Sequence, residues 1–223
     1  MSLVHRRSLT FALSALLAAA ASPCVLAHTR PSGSPSASSP ATDQAWQHIV
    51  EAFDHRGLPF AIVDKQQAML SVFDGRGRPI ARTPVLLGLA PGDDSTPGVG
   101  QRAQQGTVAP QERTTPAGRF EAEPGRNVQG EDIVWLDYEA AFAIHRLRPG
   151  PSKQAREQRL ASTRLADRRV SLGCVVVPVA FYESVIAPVL GRGRSVVYVL
   201  PETRPLHTLF ARGGAAPVRT AAR

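Results

Sequence analysis

The chain has 223 residues, a net charge of +8 and 43% hydrophobic content. That is apolar material enough for one ordinary domain, and it excludes a wholly disordered chain. Lys65 and Lys153 are the only lysines, so nearly all the positive charge is arginine. These arginines are scattered without interleaved aromatics, so no nucleic-acid-binding motif is read here.

Residues 1–27 read as a signal peptide. His5-Arg6-Arg7 is a basic start, and Leu9 to Ala21 is an apolar stretch of about export length, too short to span a bilayer comfortably. Val25-Leu26-Ala27 fits small-x-small cleavage after Ala27. The mature chain then begins at His28 and, without Arg6 and Arg7, carries +6. A lipoprotein anchored at Cys24 is the alternative, and Ala21 and Pro23 fit its pattern poorly. No later stretch is long and apolar enough for a transmembrane helix. The expected location is the periplasm or cell envelope.

Residues 28–43 form a low-complexity linker rich in Ser, Pro and Ala. Asp43 is placed to cap a helix through Asp54, with Trp46, Ile49, Val50 and Phe53 at helical spacing. Phe60 to Lys65 and Ala68 to Phe73 read as strands, Asp74 to Arg78 as a turn, and Pro79 to Leu89 as a third strand. Residues 90–115 lack periodicity and read as a long loop, closed by Thr115-Pro116-Ala117-Gly118-Arg119-Phe120. Ile133 to Leu136 and Ala141 to Leu147 are further strands. In the second, Phe142 and Ile144 face one way while Ala143, His145 and Leu147 face the other. Residues 149–168 form an arginine-rich insertion. Val175 to Val177 is an apolar run, and Pro178 suits the first turn of a helix that packs through Phe181, Tyr182, Val185 and Ile186. Ser195 to Leu200 is a last buried strand, and residues 205–223 a loose tail. The fold expected is mostly β and β-sandwich-like, with one or two short helices. It occupies residues 44–204 around a core of about 60–200.

Cys174 is the one cysteine left after cleavage at Ala27. An odd cysteine in an exported protein points to intermolecular pairing or a reactive thiol. His145 is the only histidine between His55 and His207, so a histidine partner for Cys174 within the core is His145. An imidazole can take the thiol proton, and the thiolate can attack an amide carbonyl to give a thioester. Backbone N–H groups at Gly173 and Cys174 are candidate oxyanion donors. Each residue also has a plainer role: Cys174 a buried small hydrophobe, His145 a structural strand histidine, Ser171 a loop-bonding hydroxyl, Gly173 a turn residue. Trp135 and Tyr138 read as core. Arg146 faces away from His145. Arg156, Arg159, Arg164, Arg168 and Arg169 read as a solvated face, or else as an electrostatic grip on acidic peptides. No residue grouping has metal-ligand spacing, so neither metal nor cofactor is expected.

In its Thr115-Pro116-Ala117-Gly118-Arg119-Phe120 segment, its strand histidine His145 and its Ser171-Leu172-Gly173-Cys174 turn, the chain resembles the L,D-transpeptidase catalytic-domain (YkuD-type) family over about residues 60–200. The resemblance implies Cys174 as nucleophile and His145 as base, with Ser171 and Gly173 at the family's Ser/Thr and Gly positions as substrate- or oxyanion-binding residues. It implies a peptidoglycan stem tetrapeptide as donor, loss of its terminal D-Ala, and transfer to an amine of a second stem. Water as acceptor would make the site an L,D-carboxypeptidase. Leu172 stands where many members have a second histidine, Val176 where many have Asn or Arg, and the stretch from His145 to Cys174 is longer than usual. These departures suggest the competing class, a non-catalytic peptidoglycan-binding domain. A papain-like protease has the opposite order, cysteine before histidine.

Overall fold

The computed structural model describes residues 38–211. The expected signal peptide, its cleavage point and most of the linker lie outside the described residues.

In chain order the elements are α1 (Pro40–Glu51), β1 (Phe60–Asp64), β2 (Met69–Phe73), β3 (Pro79–Pro84), β4 (Leu87–Gly88), α2 (Val99–Gln105), β5 (Gly118–Arg126), β6 (Asp132–Asp137), β7 (Phe142–Arg146), α3 (Lys153–Ala161), β8 (Arg169–Ser171), β9 (Val175–Val177) and β10 (Ser195–Val199). Between β9 and β10 lies a helical run, α4, made of Val179–Phe181, a π-helical turn Tyr182–Ile186, and Ala187–Val189. The mostly β expectation holds. More helix is present than expected, because α2 forms inside the segment read as a long loop and α3 inside the insertion.

Eight strands form one sheet in the order β3-β2-β1-β10-β5-β6-β7-β9, with β4 and β8 as a separate parallel pair. Two neighbouring pairs in the large sheet are parallel, β1 with β10 and β7 with β9. The sheet nearly closes on itself. Leu86, just past edge strand β3, exchanges two 2.9 Å backbone hydrogen bonds with Val176 of the opposite edge strand β9.

Closure follows from the apolar pattern. β1 and β10 are buried along their whole length, because each of their faces meets a different core. Ala61, Val63, Val197 and Val199 point into an interior cluster with Phe120, Val134, Leu136, Ile144, Val175 and the α4 residues Tyr182 and Ile186. Phe60, Ile62, Val196 and Tyr198 point outward, under Ala45 and Ile49 of α1. A third cluster of Leu86, Leu147, Leu160 and Val176 seats α3 on the outer face of β7 and β9.

α1 begins earlier than its expected cap at Asp43. Ser39 is the cap, its hydroxyl accepting the Thr42 N–H at 3.1 Å, and Pro40 opens the first turn. Ser and Pro in succession are a stronger start than an aspartate alone, so residues 40–43 of the expected linker are helix. Part of the expected loose tail is also docked. Leu206, Leu209 and Phe210 pack on the outer cluster, and the Phe210 ring lies 4.1 Å from that of His48.

β5 was expected as the end of a loop and is a central strand. Its Gly118, Phe120 and Ala122 are buried, while Arg119, Glu121 and Glu123 alternate outward. Three charges on one face and Pro124-Gly125 near the end disguise a period of two.

Candidate active site

Register brings His145 and Cys174 to one face. In the parallel pair of β7 and β9, Ile144 lies opposite Val175 and His145 opposite Val176. One step back along the same register sets Cys174 opposite Ala143. Cys174 therefore shares a face with Val176 and His145, as a diagonal neighbour of the histidine. With strands about 4.8 Å apart and a rise of about 3.3 Å per residue, such a diagonal spans about 8 Å between Cα atoms. Both side chains line a cavity of about 460 Å³.

His145 is 9% exposed, and its Nδ1 lies 2.8 Å from the Arg146 carbonyl. A carbonyl only accepts, so Nδ1 carries the proton and Nε2 holds the lone pair. Burial, then the nearby Arg148 and Arg156 charges, pull the imidazole from its ordinary 6.5 down to about 4, against the opposing pull of the Arg146 carbonyl and Glu131. It is neutral at pH 7 with Nε2 open as a base.

Cys174 is half-buried and is the free cysteine of the described residues. Its Sγ donates to the Ala141 carbonyl at 3.3 Å. Burial pushes the thiol above its ordinary value of 9.0. The resting pair is thus thiol and neutral imidazole, not thiolate and imidazolium.

The turn before the cysteine is tied internally. The Ser171 hydroxyl donates to the Cys174 carbonyl at 2.7 Å and accepts the Gly173 N–H at 3.1 Å. The Ser171 hydroxyl proton and the Gly173 N–H, both expected near substrate, are engaged within the turn in this structure. Gly173 has φ +136°, a conformation that favours glycine.

Thr115, the first residue of the Thr-Pro segment, has a structural task. Its fully buried hydroxyl accepts the Gly88 N–H at 2.8 Å and donates to the Gly173 carbonyl at 2.7 Å. Behind it lies a buried charge network. Lys65, 1% exposed, donates to Asp93 at 2.7 Å, to the Thr115 carbonyl at 3.0 Å and to the Gly92 carbonyl at 2.5 Å. Asp93 also accepts from the Glu202, Thr203 and Arg204 N–H groups. Arg169 bonds the Lys65 carbonyl and Glu202. Burial lowers the Lys65 ammonium. It would raise the Asp93 carboxyl, but Lys65 and Thr203 hold that well below its ordinary value.

The walls include residues read as core. Tyr138 is 51% exposed, packs edge-on against Trp135 with centroids 5.0 Å apart, and lines the cavity with it. Leu172 and Val176 line it too. Val176 also belongs to the cluster beneath α3 and supplies an apolar wall beside His145. Of Arg156, Arg159, Arg164, Arg168 and Arg169, Arg156 alone lines the cavity. Arg168 and Arg169 anchor backbone carbonyls, and Arg159 bonds the Asp167 carbonyl. Arg146 sits 5.6 Å from the Tyr182 ring, away from the cavity, as alternation predicts. Among the described residues, no group of three or more His, Cys, Asp and Glu is placed to hold a metal ion, and no helix is long and apolar enough to cross a membrane.

No family model matches the chain, and no curated protein matches it. Solved structures do match. The helical cell shape determining protein Pgp2 from Campylobacter jejuni is 18% identical, with a TM-score of 0.44 over 66% of this chain and 49% of that one. An L,D-transpeptidase from Xylanimonas cellulosilytica is 14% identical, with a TM-score of 0.37 over 64% of this chain and 60% of that one. An L,D-transpeptidase from Mycobacterium smegmatis is 14% identical, with a TM-score of 0.35 over 63% of this chain and 58% of that one. The chain spans about half to three-fifths of the length of these proteins. At such identities no residue role passes from them to this chain.

Proposed function

We propose that the chain is an exported cysteine acyltransferase of L,D-transpeptidase type, acting on peptidoglycan stem peptides through a thioester. The observation that carries this reading is that the Cys174 thiol and the neutral, Nδ1-tethered imidazole of His145 line one cavity from one face of adjacent strands. As the donor carbonyl carbon nears Sγ, Nε2 takes the thiol proton and the S–C bond forms. With the Gly173 N–H held by Ser171, the Cys174 N–H is the backbone donor left for the oxyanion. The C–N bond then breaks, and the departing D-Ala amine takes the proton from His145. An acceptor amine, deprotonated by the same nitrogen, attacks the thioester and frees the thiol. Water in its place gives the carboxypeptidase outcome.

Tetrapeptide muropeptides incubated with the purified protein should release D-alanine and leave a thioester on Cys174, read by mass. Cys174→Ala should do neither while remaining folded. Release by folded Cys174→Ala overturns the assignment. One observation favours a second reading, a non-catalytic stem-binding domain: the thiol is raised by burial and its hydrogen bond goes to a carbonyl. That reading predicts binding with no adduct.

A further inference from the structure

The cavity is lined by three formal charges, all positive. They are Arg126 at the end of β5, Arg148 just past β7, and Arg156 of α3; no aspartate or glutamate is among the lining residues described. Two of the three are ion-paired, Arg148 with Glu131 at 2.9 Å and Arg126 with Asp132 at 3.0 Å. Arg156 is different. Its guanidinium donates to the Arg148 carbonyl at 2.9 Å and the Ser152 carbonyl at 3.4 Å, and among the described residues it forms no ion pair.

We propose that Arg156, together with Arg148, forms a carboxylate-binding subsite of this cavity, so that the peptide bound beside Cys174 must carry a free carboxylate. The proposal deepens the acyl-transfer reading and rests on it for the identity of the peptide.

Three further facts support it. Leu160 anchors α3 in the cluster with Leu147 and Val176, and Arg156 lies one turn earlier on the same helical face. The anchor that holds the helix down therefore also aims Arg156 at the cavity. The helix is otherwise polar, with Leu160 its one buried residue, so the inward arginine is not there to fill a core. The two bonds to carbonyls hold the planar fork in place and use only some of its five N–H groups, the rest being available to a bidentate anion. Finally, Arg148 and Arg156 line the same cavity as His145, and both charges lower its pKa, Arg148 more than Arg156.

The test uses the full chain in two forms, wild type and Cys174→Ala. Binding to Cys174→Ala is measured by calorimetry for a stem tetrapeptide and for versions in which each of its carboxyl groups is converted in turn to a carboxamide. One amidation should weaken binding by about 10- to 100-fold, the range of a hydrogen bond to a charged group. That version identifies which carboxylate is held. Arg156→Gln should bring the acid-to-amide ratio close to one, and Arg156→Lys, which keeps the charge and loses the fork, should leave it in between. A ratio unchanged in Arg156→Gln overturns the proposal. So does equal binding of all the amidated peptides, or no binding of any. D-alanine release by wild type is read separately. Carboxylate-dependent binding without release removes the acyl-transfer reading and leaves the subsite. Release that ignores amidation, with Arg156→Gln as active as wild type, removes the subsite and leaves the reading.

Discussion

The hydroxyl of Thr115 donates to the carbonyl of Gly173 at 2.7 Å while accepting the N–H of Gly88 at 2.8 Å. One buried side chain thus joins β4, the Thr-Pro segment and the turn that presents Cys174. The fit is close, since a Cβ on Gly173 would lie 2.9 Å from the Thr114 carbonyl oxygen. The turn that carries Cys174 is held by a threonine well away in sequence, and the cysteine's own neighbours only complete the turn.

Thr115→Val keeps the shape and removes both bonds, stranding a buried N–H and a buried carbonyl. Each stranded group costs about 1–3 kcal/mol, so the melting temperature should fall by several degrees or more, and thioester formation on Cys174 should fall with it. Thr115→Ser should recover most of both. A valine variant that melts with wild type would show that the hydroxyl is not what holds the turn.

Lys65→Met removes the nearest cation of buried Asp93, while Glu202 keeps its pairing with Arg169. Breaking a buried pair from one side costs about 3–5 kcal/mol, and the urea midpoint should shift accordingly. A loss below about 1 kcal/mol would mean that the network is incidental to the fold.

Acid should weaken the fold through His145. Its imidazole titrates near 6.5 when unfolded and is pulled to about 4 when folded. Between those values the unfolded chain binds more protons, so stability falls as pH drops from about 6.5 toward 4, by a few kcal/mol at most. Above 6.5 the group contributes no pH dependence. Asp93, held low, has the usual carboxylate sign: its contribution is present above its unfolded value of 3.8 and is lost below it. Urea midpoints measured from pH 7.5 to 4 should slope for wild type and flatten in His145→Gln. Equal slopes for the two proteins would contradict the buried neutral imidazole.

Cys174 should be a slow thiol in the free protein. With burial raising it and a neutral imidazole beside it, alkylation by iodoacetamide should be slow at pH 7 and climb as pH passes about 9. A fast rate already on a plateau at neutral pH would reveal a standing thiolate–imidazolium pair and a different mechanism from the one proposed.

Strands such as Phe60–Asp64 and Ser195–Val199 were legible because apolar, largely β-branched runs bounded by turn residues carry their own signal. The opposite facing of Ile144 and His145 was legible for the same reason, as a period of two. The near closure of the sheet was not. It depends on Leu86 meeting Val176, and nothing local in either residue announces the other. Lys65 reads as an ordinary charge at a strand end, yet its partners Asp93 and Thr115 come from distant parts of the chain. The lining arginines divide the same way. Arg156 reads in sequence as one of a cluster of five arginines, but its place in the cavity wall depends on Leu160 finding a pocket made by Leu86, Leu147 and Val176.

The order of the large sheet puts the last strand of the described residues at its middle, with β10 between β1 and β5. A polypeptide halted before Ser195 would not be a trimmed version of this protein. It would be two ribbons, β3-β2-β1 and β5-β6-β7-β9, still bridged at Leu86 and Val176 but each with an unpaired backbone edge where the missing strand belongs. Such edges recruit other chains. The second ribbon carries both His145 and Cys174, so a nonsense mutation late in the coding sequence would yield both on a fragment disposed to aggregate. Premature termination is therefore a harsher lesion here than in a sheet whose final strand lies at the rim.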